Sequence, residues 1–160
     1  MQNILTIAKL FTTNNPVKKF NLEYQLMLHY NNKNNFLRKI FQRRLYYKYH
    51  CEISNHAQID KSVKFVHPIA VVVGSNAKIE ENCIIYQCVT IGTSFDCDNK
   101  MPYIKSGTTI STGAKIIGDI TIGHNCIIGA NAVVTKDIPD NSTVVGANKI
   151  LLPKEKKENE

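Results

Sequence analysis

A six-residue repeat constrains this chain more than any other feature of its sequence. From residue 53 onward, an aliphatic or aromatic side chain recurs at every sixth position, with two interruptions. The series consists of Ile53, Ile59, Phe65, Val73, Ile79, Ile85, Ile91, Ile104, Ile110, Ile116, Ile122, Ile128 and Val134. A period of six fits neither an α-helix nor a simple alternating strand. It fits a three-sided coil in which each face is one short strand and each corner is one tight turn.

A second series supports this geometry. Four positions after most of these residues comes a small or aliphatic side chain, as at Ala57, Cys83 and Ala114. The pattern predicts about four stacked coils, with the first series pointing inward and the second filling the space near the corners. Gly and Asn recur between the strands, where they tolerate the positive φ angles that tight corners need.

The two interruptions of the repeat are candidate functional segments. The step from Phe65 to Val73 is eight residues long, and the step from Ile91 to Ile104 is thirteen. A coil ejects extra residues as loops, and loops carry function more often than the scaffold does. The first interruption contains the pair His67 and Pro68, and the second is the loop 93–103.

Residues 1–50 lack the repeat and form a separate, basic segment. They contain nine Lys and Arg and one acid, Glu23, which gives a charge of +8 against +7 for the whole chain. Residues 36–47 predict an amphipathic helix. This pattern favours a helical segment that caps the open end of the first coil and keeps its charged side chains in solvent. Contact of residues 36–49 with an anionic membrane surface is the less favoured alternative.

The rest of the composition narrows the class of protein. Residues 51–152 are predicted to form the β-helical domain, and residues 153–160 a disordered tail. No apolar run is long enough to span a bilayer, and the first residues lack the features of a signal peptide. Five cysteines without metal-ligand spacing are typical of reduced thiols, so we expect a cytoplasmic protein without a metal. No groove-reading motif accompanies the basic charge, so we expect no nucleic-acid partner.

Four stretches of sequence carry a resemblance to a known family. They are residues 65–68 with Val73 and Gly74, residues 86–92, residues 113–120 and residues 128–139. Through them, the segment from Glu52 to Leu151 resembles the hexapeptide-repeat acetyltransferases. It is most similar to the serine acetyltransferase branch and its relatives that acetylate capsular and other bacterial polysaccharides.

The resemblance implies a fold, a donor and an assembly. The fold would be mainly β, a left-handed parallel β-helix with a short α-helical N-terminal segment. The activity would be O-acetyl transfer from acetyl-CoA to a hydroxyl, without a metal. The assembly would be a homotrimer, with each active site in the groove between neighbouring β-helices.

The resemblance also implies roles for individual residues. His67 occupies the position of the general base, and imidazole with its usual pKa near 6.5 suits a base that works near neutral pH. We expect Pro68 to hold His67 in an extended conformation. Thr112, Gly113 and Ala130 match positions whose backbone lines the pantetheine arm. The candidates for binding the CoA phosphates are Lys136 and Lys149.

Two departures from the branch bear on the acceptor. Serine acetyltransferases have an acid immediately before the base, where this chain has Val66. They have a second histidine before the proline of the extended loop, where this chain has Met101. The residues considered as substitutes for the orienting acid are Asp60, Asp96 and Asp98.

These departures favour a sugar or glycan hydroxyl, of the capsule or surface polysaccharide type, as the acceptor. Serine O-acetylation in cysteine biosynthesis and a non-catalytic binding or assembly module remain alternatives. A β-helical carbonic anhydrase needs three histidine ligands, and the spacing of His56, His67 and His124 does not match that family.

Overall fold

Three helices open the chain in a computed structural model, which describes residues 2–94, 100–147 and 149–151. They are α1 (Gln2–Thr12), α2 (Pro16–Tyr30) and α3 (Asn35–Tyr49). Asparagines cap the second and third helices. The Asn15 side chain accepts from the N–H of Lys18 at 3.0 Å, and the Asn34 side chain accepts from the N–H of Leu37 at 3.1 Å. The sequence analysis had delimited only the third helix.

Fifteen short strands follow the helices in the described part of the chain. Their bounds are β1 (Glu52–Ile53), β2 (Gln58–Ile59), β3 (Lys64–Phe65), β4 (Val72–Val73), β5 (Lys78–Ile79), β6 (Ile84–Ile85), β7 (Thr90–Gly92), β8 (Tyr103–Ile104), β9 (Thr109–Ile110), β10 (Lys115–Ile117), β11 (Thr121–Ile122), β12 (Ile127–Ile128), β13 (Val133–Val134), β14 (Thr143–Val145) and β15 (Lys149–Leu151).

The strands build a three-sided parallel β-helix, because each strand from β1 to β10 pairs with the third strand after it, and β12 pairs with β14. Face A contains β1, β4, β7, β10 and β13; face B contains β2, β5, β8 and β11; face C contains β3, β6, β9, β12 and β14. The last strand, β15, turns back and pairs antiparallel with β14. The predicted triangular coil is therefore confirmed.

The inward ladder also agrees with the prediction, since all thirteen residues of the first series are buried. The coil continues two faces beyond the series and so completes a fifth turn, through Ile138 on face B and Val144 on face C. The six-residue repeat did not predict these two faces, because the step from Val134 to Ile138 is four residues and not six. The carboxylate of Asp137 closes the shortened corner by accepting from the N–H of Thr121 at 2.7 Å.

The corners use left-handed residues at a fixed place, three positions before a ladder residue. Asn76, Asn82, Asn125, Asn131 and Asn141 have φ between 52° and 69° there. The glycines that directly follow ladder residues have a different role from the one expected, because their φ is not positive. A side chain at Gly123 or Gly129 would meet the backbone of the coil above, so these glycines permit close stacking.

The helices cover the open end of the first coil. Phe20 and Tyr24 of α2 each pack edge-on against Phe65, with ring centroids 5.3 Å apart in both pairs. The buried carboxylate of Glu23 is ion-paired with Arg44 at 2.8 Å and with Lys48 at 3.3 Å, which ties α2 to α3. No helix in the described residues is both long and apolar enough to cross a membrane.

Candidate functional site

The corner between face C and face A brings most of the predicted site residues into one column. We call this corner the His67 edge; it comprises residues 66–71, 86–89, 111–114 and 129–132, one segment from each of four successive turns. Backbone hydrogen bonds link these segments at 2.9 Å: Cys88 to Ile69, Gly113 to Gln87, and Asn131 to Thr112. His67, Thr112, Gly113 and Ala130 therefore lie along a single edge of the prism.

His67 is exposed at the first of these turns. Its φ is 49°, so the expectation that Pro68 holds it extended is wrong. The eight-residue step from Phe65 to Val73 makes a tight reversal that uses two left-handed residues, His67 and Ala70. The preceding Val66 is anchored by its backbone N–H, which donates to the carbonyl of Ile85 at 2.8 Å.

Asp60, one candidate for an acid that orients His67, does not lie beside His67 within one chain. That carboxylate lies at the corner between faces B and C, where it accepts from both the N–H of Ser62 at 2.8 Å and its hydroxyl at 2.6 Å. These bonds hold the pKa of Asp60 below its usual value. Asp96 and Asp98, the other two candidates, lie outside the described residues.

The cofactor positions on the His67 edge are small and accessible. Gly113 has a φ of 71°, and a side chain there would collide with the Asn131 amide on the next turn. The Thr112 hydroxyl donates to the carbonyl of Gln87 at 3.3 Å, and Thr112 is half-buried. Ala130 is exposed. A ligand lying along this edge would contact main chain, because the side chains there are short.

Two residues at the same edge were not among the predicted site residues. Lys115, beside the edge on face A, donates from its ammonium to the carbonyl of Cys88 at 2.6 Å and so fixes a positive charge there. The Gln87 side-chain oxygen is buried without a hydrogen-bond partner in the described part of the chain. A count of strands in threes would have identified both, since their segments occupy the same corner as His67.

Lys136 lies elsewhere in the single chain. It is exposed at the corner between faces A and B, between β13 and Ile138. We call this corner the loop edge; among the described residues it comprises 54–57, 74–77, 93–94, 100–102, 118–120 and 135–137. Lys149 belongs to β15, and its side chain lies outside the described part. Lys136 therefore does not share the corner that carries His67.

The extended loop leaves the prism from the loop edge. Its residues 95–99 lie outside the described ranges. Lys100 forms an ion pair with Asp119 at 2.9 Å. The Met101 side chain packs onto Gly74, where an added Cβ would lie 2.6 Å from its methyl carbon. The residue in place of the branch's second histidine therefore fills space against the prism.

The third corner, between faces B and C, is polar and separate from both edges. Glu80 accepts from the Tyr103 hydroxyl, which holds the pKa of Glu80 below its usual value, and from the N–H of Ser106 at 3.1 Å. His124 contacts the Ser106 hydroxyl at 2.9 Å. Because His56, His67 and His124 occupy three different corners, they do not converge within one chain. No cluster of three potential ligands that could hold a metal occurs in residues 2–94, 100–147 and 149–151.

Comparison with known proteins gives a consistent family. Residues 101–136 match the bacterial transferase hexapeptide family (six repeats). Over 96 residues the chain is 42% identical to the serine acetyltransferase of Bacillus pumilus and 43% identical to that of Staphylococcus xylosus, covering 59% of this chain and 44% of each relative. The chain thus spans less than half the length of these relatives.

Solved structures extend the likeness to the helical segment. A serine acetyltransferase in complex with CoA superposes with a TM-score of 0.74 at 29% identity, covering 84% of this chain and 56% of that one. The Vibrio cholerae serine acetyltransferase gives 0.76 at 28% identity, covering 88% and 56%. These likenesses confirm the left-handed parallel β-helix. The hexapeptide-repeat region of this chain is therefore similar to the bacterial hexapeptide transferases, and to serine acetyltransferases among them.

Proposed function

We propose that this chain is an O-acetyltransferase that uses acetyl-CoA, with His67 as the general base. The observation that carries the proposal is the His67 edge, which aligns an exposed imidazole with a column of small residues on successive turns. A neutral imidazole removes the proton of the acceptor hydroxyl as its oxygen attacks the thioester carbonyl. The acetyl group moves to that oxygen, the carbon–sulfur bond breaks, and the proton passes to the departing CoA sulfur.

The column fits the extended arm of the donor. Successive turns of a parallel β-helix are spaced about 4.8 Å apart, so Ala130 lies roughly 14 Å along the axis from His67. We place the thioester at His67 and the pantetheine along Thr112, Gly113 and Ala130. The amide groups of the arm would pair with main-chain groups of the edge, because no long side chain separates them.

The same geometry supports a homotrimer. The loop 93–103 and Lys136 lie on the loop edge, whereas His67 lies at the opposite end of the face A strands. A site containing all three therefore needs the loop edge of one copy beside the His67 edge of the next. In that arrangement the neighbour's Lys136 would face the CoA phosphates, with Lys149 as the other candidate. Light scattering on the purified chain tests the assembly, and a monomer would contradict it.

The comparisons favour serine as the acceptor. The relatives and solved structures reported above are named serine acetyltransferases, and one further structure is a complex with cysteine, with a TM-score of 0.74 at 28% identity. A sugar or glycan hydroxyl is the second candidate. It is favoured by Val66, which leaves His67 without an adjacent acid, and by Met101, which packs against Gly74.

An acceptor screen that follows release of free CoA tests the proposal. The panel contains serine, free sugars, nucleotide sugars and oligosaccharides, each with acetyl-CoA. We expect turnover with at least one hydroxyl acceptor and a fall of roughly 100-fold or more in kcat for His67→Ala, with little change in the KM for acetyl-CoA. His124→Ala is the matched control, because His124 lies at the corner away from both edges.

The outcomes separate the alternatives. Turnover with serine alone identifies the first acceptor, and turnover with sugars alone identifies the second. Full activity of the His67→Ala variant would show that His67 is not the general base. If no acceptor leads to release of CoA, the non-catalytic module is favoured, whether or not the protein binds acetyl-CoA.

A further inference from the structure

The outer face of α3 exposes large apolar side chains that no described residue covers. Phe36 is 73% exposed and Tyr47 is 67% exposed, and Ile40 and Tyr46 accompany them. Phe36, Ile40 and Tyr47 are spaced by four and seven residues, which places them on one side of the helix. The opposite side packs inward through Leu45 and Tyr49, which are buried.

A shallow groove of about 540 Å³ runs between this face and the first strand. Its walls carry Lys39 and Arg43 from α3 and Glu52 from β1. Arg43 lies over the Tyr47 ring, with its guanidinium carbon 5.7 Å from the ring centroid. Basic groups therefore alternate with the exposed apolar ones; we call this surface, formed by Phe36, Lys39, Ile40, Arg43, Tyr46 and Tyr47, the α3 face.

The charge of the surroundings selects an anionic partner. Residues 1–50 contain nine Lys and Arg and a single acid, Glu23. That acid is fully buried and already paired with Arg44 and Lys48, so it does not offset the charge of Lys39 and Arg43. Glu52, just beyond this segment, is exposed on the groove wall, so the groove carries two basic groups against one acid and stays net positive. Two copies docking through this face would bring like charges together, which opposes self-association.

We propose that the α3 face docks on the surface of an anionic lipid bilayer, with its apolar groups at the headgroup boundary. Peripheral helices that lie in this zone combine apolar side chains with Lys and Arg, and Tyr suits the boundary because its ring is apolar and its hydroxyl is polar. The groove is shallow and open, so it matches a broad surface better than the separate pockets that hold peptide side chains. Two signals, apolar contact and basic charge, are present together on one helix.

Co-sedimentation with vesicles tests this proposal. We expect the full chain to bind vesicles of phosphatidylcholine with 30% phosphatidylglycerol, to ignore pure phosphatidylcholine, and to dissociate in high salt. Each basic residue near such a surface contributes a factor of about five, so Lys39→Glu with Arg43→Glu should weaken binding at least tenfold. Phe36→Ser with Tyr47→Ser should also weaken binding several-fold, and because these side chains are exposed the fold should be retained.

The matched control reverses two charges away from the α3 face. Lys18→Glu with Lys19→Glu on α2 changes the net charge by the same amount, and we expect its binding to stay within about twofold of wild type. An equal loss of vesicle binding in both charge variants would refute the claim that binding occurs through the α3 face. The proposal of a lipid partner would be overturned if the chain did not bind the anionic vesicles. It would also be overturned if the chain associated into larger oligomers and the α3 variants abolished that association. His67→Ala should bind vesicles as wild type does, so this test is independent of the proposed acetyl transfer.

Discussion

Two glycines in equivalent positions of the repeat should respond very differently to the same substitution. Gly74 and Gly123 each follow a ladder residue, and neither has a positive φ, so a methyl group adds no backbone strain. At Gly123 the new Cβ would lie 2.7 Å from the Cα of Asp140 and 2.5 Å from its N. At Gly74 it would lie 2.6 Å from the methyl carbon of Met101, the flexible end of a side chain.

The magnitudes follow from what must move. Carbon atoms pack at about 3.5–4.0 Å, so Gly123→Ala has to displace the Asp140 backbone by about 1 Å. That shift strains two backbone hydrogen bonds of 2.8 Å, from Gly123 to Ile138 and from Asn141 to His124. We expect a loss of about 3 kcal/mol in the free energy of unfolding, or a fall of about 6–12 °C in Tm. For Gly74→Ala, rotation of Met101 relieves the contact and the stiffer unfolded chain adds about 0.4–1 kcal/mol, so the net change should stay within about 1 kcal/mol.

Urea unfolding followed by circular dichroism measures both variants against wild type. Unchanged m-values would show that the difference in midpoint reports stability and not a change in the unfolded state. Similar losses for the two variants, or a Gly123→Ala protein as stable as wild type, would refute the reasoning that these glycines serve close stacking of coils.

Two further predictions concern single ionisable groups. In a Cys97→Ser background, brief iodoacetamide treatment read by mass spectrometry should modify the exposed Cys88 first, because burial raises the pKa of the other thiols, Cys51, Cys83 and Cys126. Acetyl-CoA should protect Cys88 if the pantetheine lies on the His67 edge, and equal labelling of all four would contradict the burial pattern. The hydrogen bond from Tyr103 lowers the pKa of Glu80 in the folded protein. The bond therefore stabilises the fold fully above the usual Glu pKa of about 4.3, and this stabilisation is lost as the pH falls through the lowered pKa of the folded state. The difference in unfolding free energy between wild type and Glu80→Gln should therefore shrink between about pH 5 and about pH 3, and a constant difference would exclude this role.

The architecture was predictable because each ladder residue satisfies the same physical requirement. An inward position in a three-sided coil must be apolar, and that requirement recurs at a fixed interval through Ile128 and Val134. The prediction stopped two faces early where a different interaction, the bond from Thr121 to Asp137, allowed a shorter corner. The first two helices were not delimited either, since their apolar residues pack on the first coil and on each other without a repeating interval.

The clustering of the site could have been read from the sequence by counting strands in threes. His67, Gln87, Thr112 and Ala130 precede the fourth, seventh, tenth and thirteenth strands, so all four share one corner. Lys136 follows the thirteenth strand and therefore lies at the next corner. Backbone conformation at His67 could not be read in this way, because the local preference imposed by Pro68 is overridden by the reversal that joins faces C and A.

The residues that build the fold differ from those that we expect to select the acceptor. The ladder is repeated along five turns, so its pattern survives many individual changes. Val66 and Met101 lie outside the ladder, at positions where a change leaves the coil intact. Met101 even gains a structural contact, over Gly74, in place of a group that could bind an acceptor. A chain can therefore keep the prism while these two positions change, so we expect the choice between serine and a sugar to depend on them more than on overall similarity.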